Sequence, residues 1–304
     1  RCLDLATGRE EWNFSYDAPG TLSYNGSRTT PTADAKYVFT MGPFGHLHCL
    51  DRATRRVVWA KNIIRDFPDR NKPHGSPSSV PRWGVSQHPV LYGNTVIVTP
   101  QSCSVGVVAY DKDTGAIKWK SPYVGELYFN HATPCLATLC GVDQVVVLAN
   151  EHLYAKPPAM VSGVDANTGR ILWRTRTTRP YNIPIPQPVK IAEDELFIAG
   201  GYRHGCAVLK LARNSDCWTA EWTIGNNNCT PHVQNVLLYK GFLYANSFDR
   251  FHNGENNNGL ECLDLKGQVL WKTGPDVLFD SGSLLIGDGL LLSLIHISEP
   301  TRPY

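Results

Sequence analysis

Ten side chains that could bind a ligand lie close to prolines of a pattern that recurs along the chain. They are Arg28, Trp83, Gln87, His88, Asn130, His131, Tyr181, Asn182, Asn228 and His232. The guanidinium of Arg28 could bind an anion, and Trp83 or Tyr181 could stack on a ring or a sugar. The alternative for each residue is a structural cap or a loop hydrogen bond. We take the set as the candidate ligand-binding site and assign no catalytic residue.

Two other groups of side chains could in principle bind a metal ion. His46 and His48 are two residues apart, so on a strand they share one face. No third ligand lies near them in sequence, and we interpret them as a strand-face pair. Asp249 and Glu255 lie in an Asn-rich stretch, but their spacing matches no calcium-binding loop. We therefore expect no metal site.

A β-hairpin that ends in tryptophan recurs along the chain and would position these side chains. Residues 107–119 predict a strand, a turn at Asp111, Thr114 and Gly115, and a second strand that carries Trp119. Copies run from Asp4 to Trp12, Asp51 to Trp59, Asp111 to Trp119, Asp165 to Trp173 and, one residue shorter, Asp264 to Trp271. A degraded copy runs from Leu209 to Trp222. A β unit that repeats roughly every 50 residues indicates a propeller or a solenoid.

A second pattern precedes each tryptophan hairpin: a proline, an apolar strand, a turn and another apolar strand. The prolines are Pro31, Pro89, Pro134, Pro188 and Pro231. Proline is tolerated at the first residue of a strand, where no ladder N–H is lost. Two hairpins in series give four antiparallel strands, which fits a propeller blade better than a solenoid coil. We predict an all-β propeller with the proline strand innermost, lining the axis, and the tryptophan strand outermost, each indole wedged between blades.

Composition excludes some classes of function. The 29 basic and 27 acidic residues leave a net charge of +2, and no basic stripe with interleaved aromatics is present. Nucleic-acid binding is therefore not expected. No run of 18 apolar residues occurs, so no transmembrane segment is predicted. The nine cysteines include no C-x-x-C pair, and those two residues before a motif aspartate are expected to be small buried side chains.

The recurring L-D-x-x-T-G-x-x-x-W strands resemble the pyrroloquinoline-quinone-like (PQQ-like) repeat family. The chain resembles a group of bacterial members of unknown function more closely still, on GPFGHLHCLD (42–51), WGVSQHPVLYGNTVIV (83–98) and GSLLIGDGLLL (282–292). The family includes quinoprotein alcohol dehydrogenases and the propeller lipoprotein of the bacterial outer-membrane protein assembly machine. The resemblance implies a periplasmic or secreted bacterial protein, with a protein, small-molecule or saccharide partner.

We expect residues 1–291 to form a propeller fragment of five complete blades and two partial ones. The parent ring is expected to have seven blades, with eight as the alternative. Residues 292–304 resemble a translated sequencing adapter and are expected to be a non-native tail.

The same resemblance leaves two alternative functions for this chain. The quinoprotein dehydrogenases imply PQQ with calcium on the axis, an Asp base and a vicinal Cys–Cys pair, yet no two cysteines are adjacent here. We therefore expect a non-catalytic binding or scaffold propeller without a cofactor, its ligand or partner at the axial mouth. A PQQ-dependent alcohol or sugar dehydrogenase is the alternative.

Overall fold

The computed structural model describes residues 1–22, 26–68, 83–100, 102, 104–125, 130–150, 159–178, 184–202, 204–247, 259–273 and 283–293. Within these residues the chain forms 24 strands and one short helix, α1 (Ile63–Asp66). No helix in this part of the chain has the length and apolar character needed to cross a bilayer. The predicted all-β class is confirmed.

The strands form five four-stranded antiparallel sheets, flanked in sequence by two hairpins. The N-terminal hairpin is β1 (Cys2–Leu3) and β2 (Glu10–Trp12). Sheet I is β3 (Thr32–Ala33), β4 (Tyr37–Met41), β5 (His46–Asp51) and β6 (Val57–Asn62). Sheet II is β7 (Val90–Tyr92), β8 (Thr95–Val98), β9 (Val108–Asp111) and β10 (Ile117–Lys120). Sheet III is β11 (Cys135–Leu139), β12 (Val142–Ala149), β13 (Met160–Asp165) and β14 (Ile171–Arg176).

Sheet IV is β15 (Val189–Lys190), β16 (Glu195–Gly200), β17 (Gly205–Asn214) and β18 (Cys217–Asn226). Sheet V is β19 (Leu237–Tyr239), β20 (Phe242–Asn246), β21 (Leu260–Leu263) and β22 (Val269–Lys272). The C-terminal hairpin is β23 (Leu284–Gly287) and β24 (Leu290–Ser293), so its last strand runs past the expected boundary at residue 291. In every sheet each strand pairs with the next one in sequence, so the predicted antiparallel arrangement is confirmed.

The core consists of four apolar layers, each between two consecutive sheets. Strand β8 shows how one sheet supplies two layers: Val96 and Val98 face sheet I, and Ile97 faces sheet III. Alternate side chains of a strand point to opposite faces, so a strand between two sheets is apolar on both. This explains why the inner strands read as continuous apolar runs.

The motif turns have the chemistry expected from the sequence. The carboxylate of Asp51 accepts hydrogen bonds from the backbone N–H and the hydroxyl of Thr54, at 2.7 and 2.9 Å. Asp111 binds Thr114 in the same way, at 3.0 Å for both bonds. These bonds stabilise the ionised carboxylate and lower the pKa of both aspartates. The side chain thus fixes the backbone of the turn.

Two tryptophans join their own sheet to the next one. The indole N–H of Trp59 donates to the Lys112 carbonyl of sheet II at 2.8 Å, and that of Trp119 donates to the Ala166 carbonyl of sheet III at 3.1 Å. Each ring lies over the glycine of the following motif turn. Trp173 instead bonds Gln144 within its own sheet, and Trp271 is 46% exposed. The wedged position predicted for every indole is therefore wrong for Trp271.

Sheet IV departs from the predicted register. In sheet I the bulge on the last strand lies between Leu50–Val57 and Cys49–Trp59 pairs. In sheet IV the matching pairs are Leu209–Trp222 and Val208–Ile224, so Ile224 takes the position that tryptophan holds elsewhere.

The indole N–H of Trp222 consequently points back, to the Arg176 carbonyl of sheet III, at 2.8 Å. The amide of Asn226 links sheet IV forward, to the Gly267 carbonyl of sheet V, at 3.1 Å. The cause is the long β17–β18 hairpin, which has no Asp-Thr-Gly turn to fix the register. Trp222 is therefore not equivalent to the other motif tryptophans.

Candidate functional site

The segments that precede the first strands of sheets I to V meet at one pocket of about 590 Å³. This volume lies within the usual range for small-molecule sites, roughly 300–1,000 Å³. Its lining side chains come from all five segments and from the loop between β16 and β17: Ser27, Arg28, Trp83, Ser86, His88, His131, Thr133, Ile185, Tyr202, His232, Val233 and Asn235. We call this cavity the axial pocket.

The structure brings half of the candidate residues together at the axial pocket. Those that line it are Arg28, Trp83, His88, His131 and His232. The remaining described candidates lie elsewhere. Gln87 and Asn130 are buried behind the lining, at 3% and 1% exposure, and Asn228 bonds the Gly267 carbonyl. Tyr181 and Asn182 lie outside the described residues.

Hydrogen bonds tie each segment of the pocket to the next. Between the first two, Arg28 Nε donates to the Trp83 carbonyl at 3.1 Å, and the Thr30 N–H donates to His88 Nδ1 at 2.7 Å. The following pair of segments shares a 2.6 Å contact between Ser86 Oγ and His131 Nδ1. These bonds join segments that are far apart in sequence and hold the wall of the pocket in one arrangement.

Further hydrogen bonds join the segments of sheets II and III, III and IV, and IV and V. The amide of Gln87 donates to the Ala132 carbonyl at 2.9 Å, and the backbone N–H of His131 donates to the Pro184 carbonyl at 2.9 Å. The backbone N–H of Gln187 donates to Asn235 Oδ1 at 3.0 Å. The bond of Gln87 matches the structural alternative stated for each candidate residue, a loop hydrogen bond.

Two histidines of the pocket are neutral at pH 7. Burial, with a smaller repulsion from the Arg28 guanidinium, lowers the pKa of His131 to about 4. Burial also lowers the pKa of His88. Since His88 Nδ1 accepts the Thr30 N–H, its proton is on Nε2. Each neutral ring offers one donor and one acceptor.

Tyr202 is a lining residue that the sequence pattern did not reveal. Tyr202 follows the second strand of sheet IV. The sequence prediction considered only residues near the proline that precedes each first strand, which we call the proline rule, so it did not include Tyr202. Its ring contacts the His232 ring edge to face, with centroids 4.5 Å apart. A Cβ at Gly201 would lie 2.8 Å from His232 Cα, so glycine permits this approach. Ser86 is another omission, although it is next to Gln87 in sequence.

The His46–His48 pair lies against aromatic side chains. The Tyr16 ring is 5.4 Å from the His46 ring and 4.3 Å from the His48 ring. Burial lowers the pKa of both imidazoles. No group of three or more His, Cys, Asp or Glu side chains in the described part of the chain is arranged to hold a metal ion. Asp249 and Glu255 lie outside that part.

Four-stranded antiparallel sheets that pack in succession, with a pocket where their first strands begin, define a β-propeller. A family model described as "Outer membrane protein assembly factor BamB" matches residues 1–273, and the chain belongs to this family. The resemblance to PQQ-like repeat proteins expected from the sequence is confirmed.

Individual proteins and solved structures share little sequence identity with this chain. An alcohol dehydrogenase (quinone), dehydrogenase subunit, from Komagataeibacter europaeus is 27% identical over 128 residues, which cover 40% of this chain and 16% of that protein. The quinohemoprotein alcohol dehydrogenase ADHIIG of Pseudomonas putida HK5 is 14% identical, with a TM-score of 0.53, over 86% of this chain and 55% of that one. The computationally designed Ika8 protein is 12% identical, with a TM-score of 0.51, over 87% and 67%. The structural likenesses show the fold alone.

Proposed function

We propose that this propeller is a non-catalytic binding module whose ligand or partner enters the axial pocket. One observation carries the proposal: segments from five sheets, far apart in sequence, meet at the pocket and are tied together by hydrogen bonds. Bonds of this kind limit the freedom of the wall, which lowers the entropy that binding would cost. The family description supports a place in the bacterial envelope and a protein partner for the surfaces around the mouth.

The similarity to a quinone-dependent dehydrogenase subunit supports a second candidate function, oxidation of an alcohol or sugar with PQQ and calcium. The side chains that line the pocket can be compared with the ligands that calcium requires. Calcium takes six to eight oxygen ligands, most of them carboxylates and carbonyls. The described lining of the pocket has no Asp or Glu, and its three imidazoles are poor calcium ligands. These residues do not fit the ion.

A fragment screen with a pocket variant tests the binding function. Ligand-observed NMR on the protein would identify fragments that bind, and the same fragments would be tested on the variant Arg28→Met/Trp83→Ala/His131→Gln. We expect the variant to lose the hits, because it removes the charge, one aromatic face and one imidazole. We expect a loss of only a few degrees in Tm, since all three side chains are partly exposed and Gln can still bond Ser86.

Two results would contradict the proposal. One is a set of hits that bind the variant as well as the protein, together with a large loss of stability, which would assign these residues to the architecture alone. The other is a bound chromophore and dye-linked alcohol oxidation after PQQ and calcium are added. That second result would establish the dehydrogenase function.

A further inference from the structure

The axial pocket is rich in groups that both donate and accept hydrogen bonds. They are the hydroxyls of Ser27, Ser86 and Thr133, the amide of Asn235 and the neutral imidazole of His88. Arg28 is the one side chain with a permanent charge in the described lining, and no carboxylate is among those residues. The wall therefore suits a ligand whose own polar groups donate and accept in turn.

Two aromatic side chains of the pocket come from sheets that are not neighbours. Trp83 precedes the first strand of sheet II, and Tyr202 follows the second strand of sheet IV. The Trp83 ring lies 5.6 Å from the His131 ring, and the Tyr202 ring lies 4.5 Å from that of His232. Each combines a large apolar surface with a polar tip and loses little conformational entropy on binding.

From these two features we infer that the axial pocket binds a pyranose sugar. The inference rests on the proposed binding function and names its ligand class. Sugar hydroxyls donate and accept hydrogen bonds, which matches the serine, threonine, amide and imidazole groups. The C–H faces of a pyranose ring are apolar and pack against aromatic rings such as Trp83 and Tyr202.

Other ligand classes match the pocket less well. A cation would meet the Arg28 guanidinium and no described lining carboxylate. A polyanion would find one permanent positive charge, whereas anion sites usually offer several cationic donors. A peptide bound as an added strand needs an exposed sheet edge, and this pocket is formed by loop segments. A mostly uncharged ring with many hydroxyls remains.

Isothermal titration calorimetry with four disaccharides tests this inference. The probes are maltose, cellobiose, N,N′-diacetylchitobiose and digalacturonate. We expect at least one to bind, and we expect Trp83→Ala and Tyr202→Ala each to weaken it about tenfold or more. The control Trp271→Ala removes an indole that is 46% exposed on the outer strand β22, and affinity should stay within about twofold. Circular dichroism would show that each variant is folded.

The acidic probe assigns the role of Arg28. If digalacturonate binds best and Arg28→Met weakens it alone, the sugar carries a carboxylate paired with the guanidinium. If neutral sugars bind equally well, the ligand is a neutral sugar; both results support the inference.

Failure of the inference is distinguishable from failure of the proposed function. If all four sugars fail while NMR fragments still bind the pocket, the sugar class is wrong and the binding function stands. If sugars bind but neither aromatic substitution matters, the site is wrong. If neither sugars nor fragments bind, both proposals fall.

Discussion

Glu261 is a carboxyl group with no exposed surface, in strand β21 of sheet V. Burial raises its pKa to about 7, although a hydrogen bond from the Ser247 hydroxyl acts in the opposite direction. The unfolded chain would release this proton near the ordinary pKa of 4.5. Between these two values the folded protein holds a proton that the unfolded chain has lost. Stability contributed by this group is therefore full below pH 4.5 and declines as pH rises to about 7.

The prediction at this scale is that Glu261→Gln removes this decline. The raised pKa corresponds to a change on the order of 3 kcal/mol in the free energy of unfolding between low and high pH. Urea unfolding at several pH values from 5 to 8, followed by tryptophan fluorescence, would measure it. We expect the variant to gain stability relative to the protein as pH rises. An identical pH dependence in both would show that Glu261 is ionised in the folded state.

Single residues also mark the limit of what the sequence could predict. The proline rule located Arg28, Trp83, His88, His131 and His232, because all lie on the approach to a first strand. The rule could not give side-chain direction. Asn130, next to His131, turns into the interior, where neither of its amide atoms has a hydrogen-bond partner among the described residues. Adjacent residues in an extended segment can point to opposite sides, and here His131 faces the pocket while Asn130 does not.

At the scale of the structural element, the glycine of the motif turn has two separate roles. Gly169 has a φ of +77°, and a Cβ there would lie 2.5 Å from Trp119 Cε3. Gly141, in the turn between β11 and β12, has a φ of +76°, and no atom of the described residues lies within 4 Å of a Cβ placed there. The pair separates the backbone requirement of a turn from the requirement for space under the indole.

We expect Gly141→Ala to lower the free energy of unfolding by about 1–2 kcal/mol, the cost of a left-handed alanine. We expect Gly169→Ala to cost about 1–3 kcal/mol more, because the methyl group displaces Trp119 from its place between sheets II and III. Chemical denaturation of the two variants would give the difference. Equal losses would mean that the indole does not need the turn glycine.

Sheet IV shows where a sequence pattern fails at this scale. The tryptophan positions predict the register of the last strand of each sheet. This prediction holds where an Asp-Thr-Gly turn fixes the distance from the turn to the indole. The hairpin of β17 and β18 lacks that turn, and its register is set by pairing along two ten-residue strands. A shift of two residues keeps the same side chains on the same face. The hydrophobic pattern is therefore the same for Trp222 and for Ile224.

At the scale of the whole molecule, the propeller brings equivalent segments of the repeated sheets together at one pocket. Each sheet contributes the segment before its first strand, and sheet IV also contributes the loop between β16 and β17. The repeat was readable because every blade carries the same strand pattern. The pocket could be anticipated only in outline, since Tyr202 reaches it from the loop between β16 and β17, which the recurring pattern does not mark.

The most direct test of this account is the titration of His131 by NMR, in the protein and in Arg28→Met. These residues belong to the approaches of different sheets, and they interact only if the sheets place them at one pocket. We predict a pKa of about 4 for His131 in the protein and a higher value in the variant, because a nearby positive charge is removed. A pKa near the ordinary 6.5, unchanged by the substitution, would contradict the convergence of these segments.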